Sequence, residues 1–365
     1  MKSRSGRSAN PAAAVQGVDA VEWRVFVTRP IAQSALGRLA RQVRVDLWDD
    51  EMPPPADELL RRARRADAVL SMVTDRFDAA TIAALPTLRA ISNLAVGVDN
   101  IDLAAATRAA IAVGHTPGVL TETTADLAFG LLMAAARRIV EGDRYVRAGH
   151  WRTWTPRTML GRDVHGATLG IIGWGAIGRA MARRAAGFAM RVLYLPSPNA
   201  RRTGSRPAAH AESGVSGAEP ADLKRLLAES DCVSIHVPLS EATRHLIGAA
   251  EFAAMKPSAI LVNTARGAVV DQQALLYALR TGRIAGAALD VTDPEPIDRR
   301  DPLLELPNVV VTPHIGSASH ATRTRMAEMA VDNLLDVFAG RLPRHCANPA
   351  VRIAEHGPAA RSRDK

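Results

Sequence analysis

The sequence predicts an α/β fold of two lobes, each built on a parallel β-sheet, with a cleft between them. Three observations carry this expectation. Short apolar runs alternate with amphipathic ones from residue 21 to about 93, a second alternation begins at Thr168, and a long helical stretch from Thr121 to about Ala148 lies between. Such alternation points to parallel sheets, because a parallel neighbour is reached only through a crossover, usually a helix. At 365 residues the chain has room for two domains of ordinary size.

In chain order, residues 1–20 read as a disordered leader. A strand is expected at Val21–Thr28, a helix at Ile31–Arg41, a strand at Val43–Leu47, then the Pro53-Pro54-Pro55 loop. A helix at Glu58–Arg65, a strand at Ala68–Met72, a short helix at Thr81–Leu85 and a strand at Arg89–Asn93 follow. The second alternation runs strand Thr168–Ile172, a glycine turn, a helix through Arg179–Arg184, strand Arg191–Leu195 and a Gly/Ser/Pro/Ala-rich loop Pro196–Pro220. It continues with helix Ala221–Ala228, strand Cys232–Val237, helix Glu251–Met255, strand Ala259–Asn263, helix Gln272–Thr281, and strands Gly286–Val291 and Val309–Thr312. The closing helix, His320–Gly340, is expected to return to the first lobe, whose sheet otherwise lacks helical cover. The expected division is therefore 21–120 plus 314–345 as one domain and 121–313 as the other, with 346–365 a flexible tail.

An apolar fraction of 47% with 23% charged residues describes a soluble globular protein. The net charge of +9 is densest near the termini (Lys2, Arg4, Arg7, Arg361, Arg363, Lys365) and on helix faces such as Arg61–Arg65. No basic patch is interleaved with aromatics, so the charge speaks for anionic small molecules rather than nucleic acid. Cys232 and Cys346 stand far apart without metal-ligand spacing, which fits a reduced, cytoplasmic setting and no metal. The leader has no apolar core of a signal peptide, and Leu127–Ala136 is too short to span a bilayer.

The chemistry starts at the turn after Thr168–Ile172. Gly173-Trp174-Gly175-Ala176-Ile177-Gly178 lies between a strand and a helix, the context that a dinucleotide-binding turn requires. Gly173 permits the turn, Gly175 lets backbone approach a pyrophosphate, and Gly178 lets helix and strand pack closely. The helix N-terminus presents N–H groups to phosphate. About twenty residues on, a carboxylate normally reads the ribose 2′-hydroxyl of NAD. Here the strand ends Tyr194-Leu195-Pro196-Ser197, followed by Arg201 and Arg202. A hydroxyl and two guanidinium groups suit a 2′-phosphate, which favours NADP over NAD; the bland alternative makes Arg201 and Arg202 solvated loop residues.

Three polar residues each follow an apolar strand: Arg266 after Ile260–Ala265, Glu295 in Asp293-Pro294-Glu295-Pro296, and His314 after Val309–Pro313. Parallel sheets bind ligands at the carboxyl ends of their strands, so the three are expected in one cleft as a catalytic set. A guanidinium grips a carboxylate and polarises a neighbouring carbonyl. An imidazolium donates a proton to the developing alkoxide, and a carboxylate beside it favours its charged form and orients it. That is the equipment for reducing a 2-keto acid with a nicotinamide.

Asn263-Thr264-Ala265-Arg266-Gly267, Leu289-Asp290-Val291 with Pro294-Glu295-Pro296, and Thr312-Pro313-His314-Ile315-Gly316-Ser317 resemble the signatures of the D-isomer-specific 2-hydroxyacid dehydrogenases. Asn93-Leu94-Ala95-Val96-Gly97-Val98-Asp99 and His115-Thr116-Pro117-Gly118-Val119-Leu120-Thr121 are similar to its glyoxylate/hydroxypyruvate reductase branch. The likeness covers about residues 22–345. It implies a flavodoxin-like substrate domain beside a Rossmann-like dinucleotide-binding domain, and reduction of glyoxylate or hydroxypyruvate to D-2-hydroxy acids. It further implies that Ala95, Val96 and Gly97 present N–H groups to the substrate carboxylate. Thr123, Gly175, Ala176, Ile177, Ser197, Pro238, Thr264, Asp290, His314 and Gly316 would line the cofactor. A homodimer through the cofactor domain is implied, with Trp154 of one subunit reaching the other's site or serving as ordinary interface packing. The early arginine often found near Ser197 in NADP users is missing, so Arg201 or Arg202 must stand in for it. Glu295 speaks against formate-dehydrogenase-like chemistry.

Two alternatives remain at this point: a dehydrogenase of D-3-phosphoglycerate or an aromatic hydroxy acid, and a dinucleotide-sensing corepressor-like binding protein. His115 reads as a packed or hydrogen-bonded hinge residue, and His236 as the end of a buried strand with no role at the cofactor assigned to it.

Overall fold

The computed structural model describes residues 23–196 and 217–353. The first lobe opens with β1 (Arg24–Val27), α1 (Gln33–Ala40), β2 (Arg44–Leu47), α2 (Ala56–Ala63), β3 (Ala68–Ser71), α3 (Ala79–Ala83) and β4 (Ala90–Asn93). Then come α4 (Leu103–Arg108) and β5 (Ala112–Gly114), absent from the sequence-based expectation because they are only six and three residues long and carry few large apolar side chains. What starts α4 is a cap: the Asp102 side chain accepts the N–H of Ala105 at 2.8 Å. The strands run parallel in the order β2-β1-β3-β4-β5, a flavodoxin-like order with its switch point between β1 and β3.

The stretch expected as one long helix is two, α5 (Thr121–Ala136) and α6 (Ile139–Arg147). The break falls at Arg138, in the left-handed region at φ 53°, and Arg162 N–H caps the Ala136 carbonyl of the last turn at 2.8 Å. α5 buries Ala128, Leu131 and Leu132 against the second lobe's core, whereas α6 buries none of its residues and leaves Ile139 and Val146 exposed.

The second lobe contains β6 (Thr168–Ile172), α7 (Ala176–Ala186), β7 (Arg191–Leu195), β8 (Glu219–Pro220), α8 (Leu223–Glu229), β9 (Cys232–Ile235), α9 (Ala249–Ala254), β10 (Ile260–Asn263), α10 (Gln272–Arg280), β11 (Gly286–Leu289) and β12 (Val309–Val311). β8 closes what reads in the sequence as a loop. Its strands lie in the order β12-β11-β10-β9-β6-β7-β8, all parallel. This is the doubly wound order in which the chain reverses direction beside β6, so a crevice opens between the carboxyl ends of β6 and β9. The sheet is buried on both faces, by Leu226, Phe252 and Leu275 on one and Met181, Ala185 and Leu132 on the other.

α11 (His320–Phe338), capped by the Ser319 side chain, lies across the first sheet. Ala327, Ala330, Val331 and Leu334 pack there with Val25, Leu70 and Ala90. Within the expected flexible tail, the described residues 346–353 are packed on the first lobe. Cys346 bridges Gly114, and the buried Asn348 accepts Val113 N–H at 2.8 Å and donates to the Ile111 carbonyl at 2.9 Å and the Thr107 hydroxyl at 3.0 Å. β5 is the open edge of its sheet, and residues 346–351 cover it. Among the described residues no helix is long and apolar enough to cross a membrane, and no group of three or more His, Cys, Asp or Glu is placed to hold a metal.

Candidate active site

A cleft of about 640 Å³ lies between the two lobes, at the carboxyl ends of both sheets. Arg266, Glu295 and His314 all line it. A second cavity, about 400 Å³, sits at the opposite strand ends among Arg138, Arg144 and Arg162, and none of the expected catalytic side chains reaches it.

The dinucleotide turn has the required local geometry. Gly173 adopts φ 108°, where a side chain would also strike the His236 backbone, and a Cβ on Gly178 would collide with the Gly173 carbonyl. These two build the turn without lining the cleft. At Gly175 a Cβ would meet nothing within 4 Å, so open space lies over the start of α7. Gly175, Ala176 and Ile177 line the cleft beside His236 and Pro238 across the β6/β9 crevice. A pyrophosphate fits that cradle of unobstructed backbone at a helix N-terminus. β7 ends at Leu195 with no carboxylate there; Ser197, Arg201 and Arg202 lie outside the described residues.

Thr264, Asp290 and Gly316 line the same cleft, but Thr123 does not: its hydroxyl is paired with that of Thr322 at 2.7 Å, and Thr121 and Thr124, at neighbouring helical positions, line the wall. Trp154 lies outside the cleft and is 77% exposed.

His314 sits in the left-handed region at φ 54°, a conformation that a non-glycine residue keeps only when its surroundings impose it. Asp290, 1% exposed, imposes it. Its carboxylate accepts Thr312 Oγ1 at 2.6 Å, Ile315 N at 2.8 Å and Gly316 N at 2.7 Å, while its carbonyl accepts His314 N at 2.9 Å. The ring then turns its Nδ1 to Glu295 Oε1 at 2.5 Å, leaving Nε2 for a substrate.

The cradle opposite is made by tying back carbonyls. Thr116 N holds the Ala95 carbonyl at 2.8 Å, His115 Nδ1 the Val96 carbonyl at 2.9 Å, and Asn93 Nδ2 the Gly97 carbonyl at 2.9 Å. Asn100 anchors Asn93 and reaches the Met72 and Asp75 carbonyls. With the carbonyls held, the Val96 and Gly97 N–H groups have no acceptor among the described residues. Ala95 differs from expectation: its N–H is already taken by the Asn93 carbonyl at 2.8 Å, so two donors remain rather than three.

Arg266 reaches this loop from the turn after β10. Asn263 shapes that turn, accepting Ala265 N at 3.0 Å and donating to the Arg266 carbonyl at 2.9 Å. The guanidinium meets the Asp99 carboxylate at 3.0–3.1 Å.

Residues 129–316 match the family model of the D-isomer specific 2-hydroxyacid dehydrogenase NAD-binding domain. A glyoxylate reductase of Korarchaeum cryptofilum is 53% identical over 329 residues, 90% of this chain and 96% of that one. The chain belongs to the D-isomer-specific 2-hydroxyacid dehydrogenase family. It is thereby a nicotinamide-dependent dehydrogenase. Among solved structures, a Thermus thermophilus protein is 47% identical with a TM-score of 0.80, covering 89% of this chain and 99% of its own. An NADPH-dependent glyoxylate/hydroxypyruvate reductase of Sinorhizobium meliloti, in complex with NADP and malonate, is 29% identical with a TM-score of 0.79, covering 91% and 99%.

The dehydrogenase cleft contains residues that the sequence reading passed over. Asp99 lines it, and Asn93 and Asn100 stand behind it holding the loop; their signal is a cluster of polar residues at the end of a fully buried strand. Arg323, in the first turn of α11, brings a guanidinium to the cleft wall with no partner among the described residues; burial lowers its pKa, against an attraction from Asp290. Nothing in the spacing of α11 announces it. His236 does line the cleft, hydrogen-bonded through Nε2 to Ser234 at 2.8 Å, and burial pushes it down to about 4, so it is neutral at neutral pH.

Proposed function

We propose that this dehydrogenase reduces glyoxylate and hydroxypyruvate to D-2-hydroxy acids, with NADPH preferred over NADH. The observation that supports it most is the hydrogen-bonded His314–Glu295 pair in one cleft with Arg266 and the unpaired Val96 and Gly97 N–H groups. Those two N–H groups would hold the substrate carboxylate, and Arg266 would grip the carboxylate and keto oxygen together. His314 Nε2 would deliver the proton to the alkoxide oxygen, while Glu295 fixes the ring through Nδ1 and balances the imidazolium. Residues 21–120 with 314–345 would act as the substrate-binding unit, and 121–313 as the dinucleotide-binding unit, with phosphates at Gly175–Ile177. When bound, the dinucleotide supplies the hydride that adds to the keto carbon. Two features support NADPH: Leu195 where a ribose-reading carboxylate would stand, and the Ser197, Arg201 and Arg202 side chains that follow in sequence. The exposed Trp151, Trp154, Ile139 and Val146 support a homodimer formed on this side of the cofactor unit, with Trp154 of one subunit turned to the other's cleft.

A matrix of kcat/KM values over NADPH and NADH against glyoxylate, hydroxypyruvate and bulkier keto acids tests the reading. The highest value is expected for NADPH with the two small acids. NADH equal to or better than NADPH would overturn the cofactor preference, and preference for a bulky acid would overturn the substrate. In His314→Gln, kcat is expected to fall by roughly 10²–10⁴, the usual worth of a general acid, with the dinucleotide dissociation constant unchanged.

A further inference from the structure

Arg266 and Asp99 stand 167 residues apart in sequence, one after β10 of the second sheet and the other after β4 of the first, so their ion pair spans the cleft. The distribution of donors within that pair is informative. Arg266 Nε donates to both Asp99 oxygens at 3.1 Å, Nη2 donates to Oδ1 at 3.0 Å, and Nη1 donates to the Ala265 carbonyl at 2.9 Å. A guanidinium has five N–H groups. Asp99 takes the side edge, formed by Nε and Nη2, and one N–H on each terminal nitrogen is left without an acceptor among the described residues. Gly97 backs the group so closely that a Cβ there would collide with it. Asp99 accepts no other side-chain hydrogen bond among the described residues, and both side chains are largely enclosed, at 20% and 29% exposure.

A carboxylate in a cleft for an anionic substrate repels that substrate by simple Coulomb interaction, so its presence calls for a compensating role. Two readings compete. Asp99 either stands in for the substrate on Arg266 and must be displaced, or it holds the guanidinium while the substrate uses the remaining N–H groups. The donor pattern favours the second. A stand-in would occupy the two terminal nitrogens together, whereas Asp99 leaves a proton on each of them unused.

We propose that Asp99 is a positioning residue for the keto acid reaction: it clamps the side edge of Arg266 against Gly97 and aims the two terminal N–H groups at the substrate's carboxylate and keto oxygen. The inference rests on the keto acid reading of this cleft. The clamp removes the freedom of a long side chain before the substrate arrives, and it joins substrate loop to cofactor lobe at the point where the substrate binds.

The test is Asp99→Asn, which keeps the size and removes the charge, together with Asp99→Glu, which restores the carboxylate on a longer stem. With NADPH and glyoxylate, Asp99→Asn is expected to raise KM and lower kcat, for a loss of roughly 10²-fold in kcat/KM, as expected when a catalytic grip is misplaced by about an ångström. Asp99→Glu is expected to recover part of it. The dinucleotide dissociation constant, read by fluorescence titration, should stay at the wild-type value in both, which a merely structural loss would not allow. A lower KM in Asp99→Asn, or unchanged kcat/KM, would overturn the proposal in favour of a displaced stand-in. Calorimetric binding of oxalate to the NADP-loaded protein separates this from a failure of the substrate reading, because it needs no turnover: weaker oxalate binding in Asp99→Asn supports the clamp, and equal or tighter binding overturns it.

Discussion

His314 shows how much a single side chain owes to its backbone. A free left-handed residue costs about 1–2 kcal/mol, and here the Asp290 carboxylate and carbonyl hold the turn that imposes it. His236 is the opposite case, a histidine kept neutral by enclosure. Its folded-state pKa of about 4 lies below the 6.5 of a free imidazole, so as pH falls the unfolded chain takes up the proton first. Its effect on stability is therefore nil above about 6.5, and stability is lost as pH drops from there through about 4. Urea unfolding at pH 7, 5.5 and 4.5 should show this: the stability gap between wild type and His236→Asn is expected to shrink or invert as pH falls. A gap that stays constant across the three values would contradict the enclosed, neutral ring.

The turn after β12 is the element on which the placement of His314, and so its proposed proton donation, depends. Asp290, at the carboxyl end of β11, accepts a hydroxyl and two backbone N–H groups with its side chain, all three on the segment that carries His314. Replacing one carboxylate oxygen by an amide NH₂ sets donor against donor in a buried place, which costs about 1–3 kcal/mol. Asp290→Asn is accordingly expected to lower the midpoint of thermal unfolding and to reduce kcat by at least tenfold, with kcat reported per folded molecule. Unchanged kcat in a folded variant would show that the turn holds its shape without the charge. The α5–α6 junction makes a related point: an apolar helical stretch reads as one helix, yet Arg138 turns left-handed and Arg162 caps the end from a distant loop. Neither event has a local signal.

The whole molecule is closed by its last described segment. α11 covers the first sheet, Asn333 reaches from it to the His115 carbonyl at 2.9 Å, and Asn348 then ties the chain to β5 and α4. His115 in turn holds the Val96 carbonyl and donates its own N–H to the His345 carbonyl, so α11 and the segment after it brace the 95–97 loop through His115. Asn348→Ala leaves the buried Val113 N–H and Ile111 carbonyl, and the half-buried Thr107 hydroxyl, without this partner, at a cost of roughly 2–4 kcal/mol. The unfolding free energy from urea titration is expected to fall accordingly; a value within about 0.5 kcal/mol of wild type would show that water replaces those bonds.

The α/β class, most of the strands, the glycine turn and the strand-end positions of Arg266, Glu295 and His314 were legible in the sequence, because each rests on periodicity, on a glycine's backbone freedom or on a polar residue closing an apolar run. These are properties of a few consecutive residues. The Asp99–Arg266 ion pair, the loss of the Ala95 N–H to Asn93, the pairing of Thr123 with Thr322, the cation of Arg323 and the packing of residues 346–351 were not legible. Each joins groups remote in the chain or depends on which way one helix face or one peptide unit is turned. A hydrogen-bond donor has one direction in space, and that direction is set by the packing of two sheets and the helix α11, which no short stretch of sequence carries.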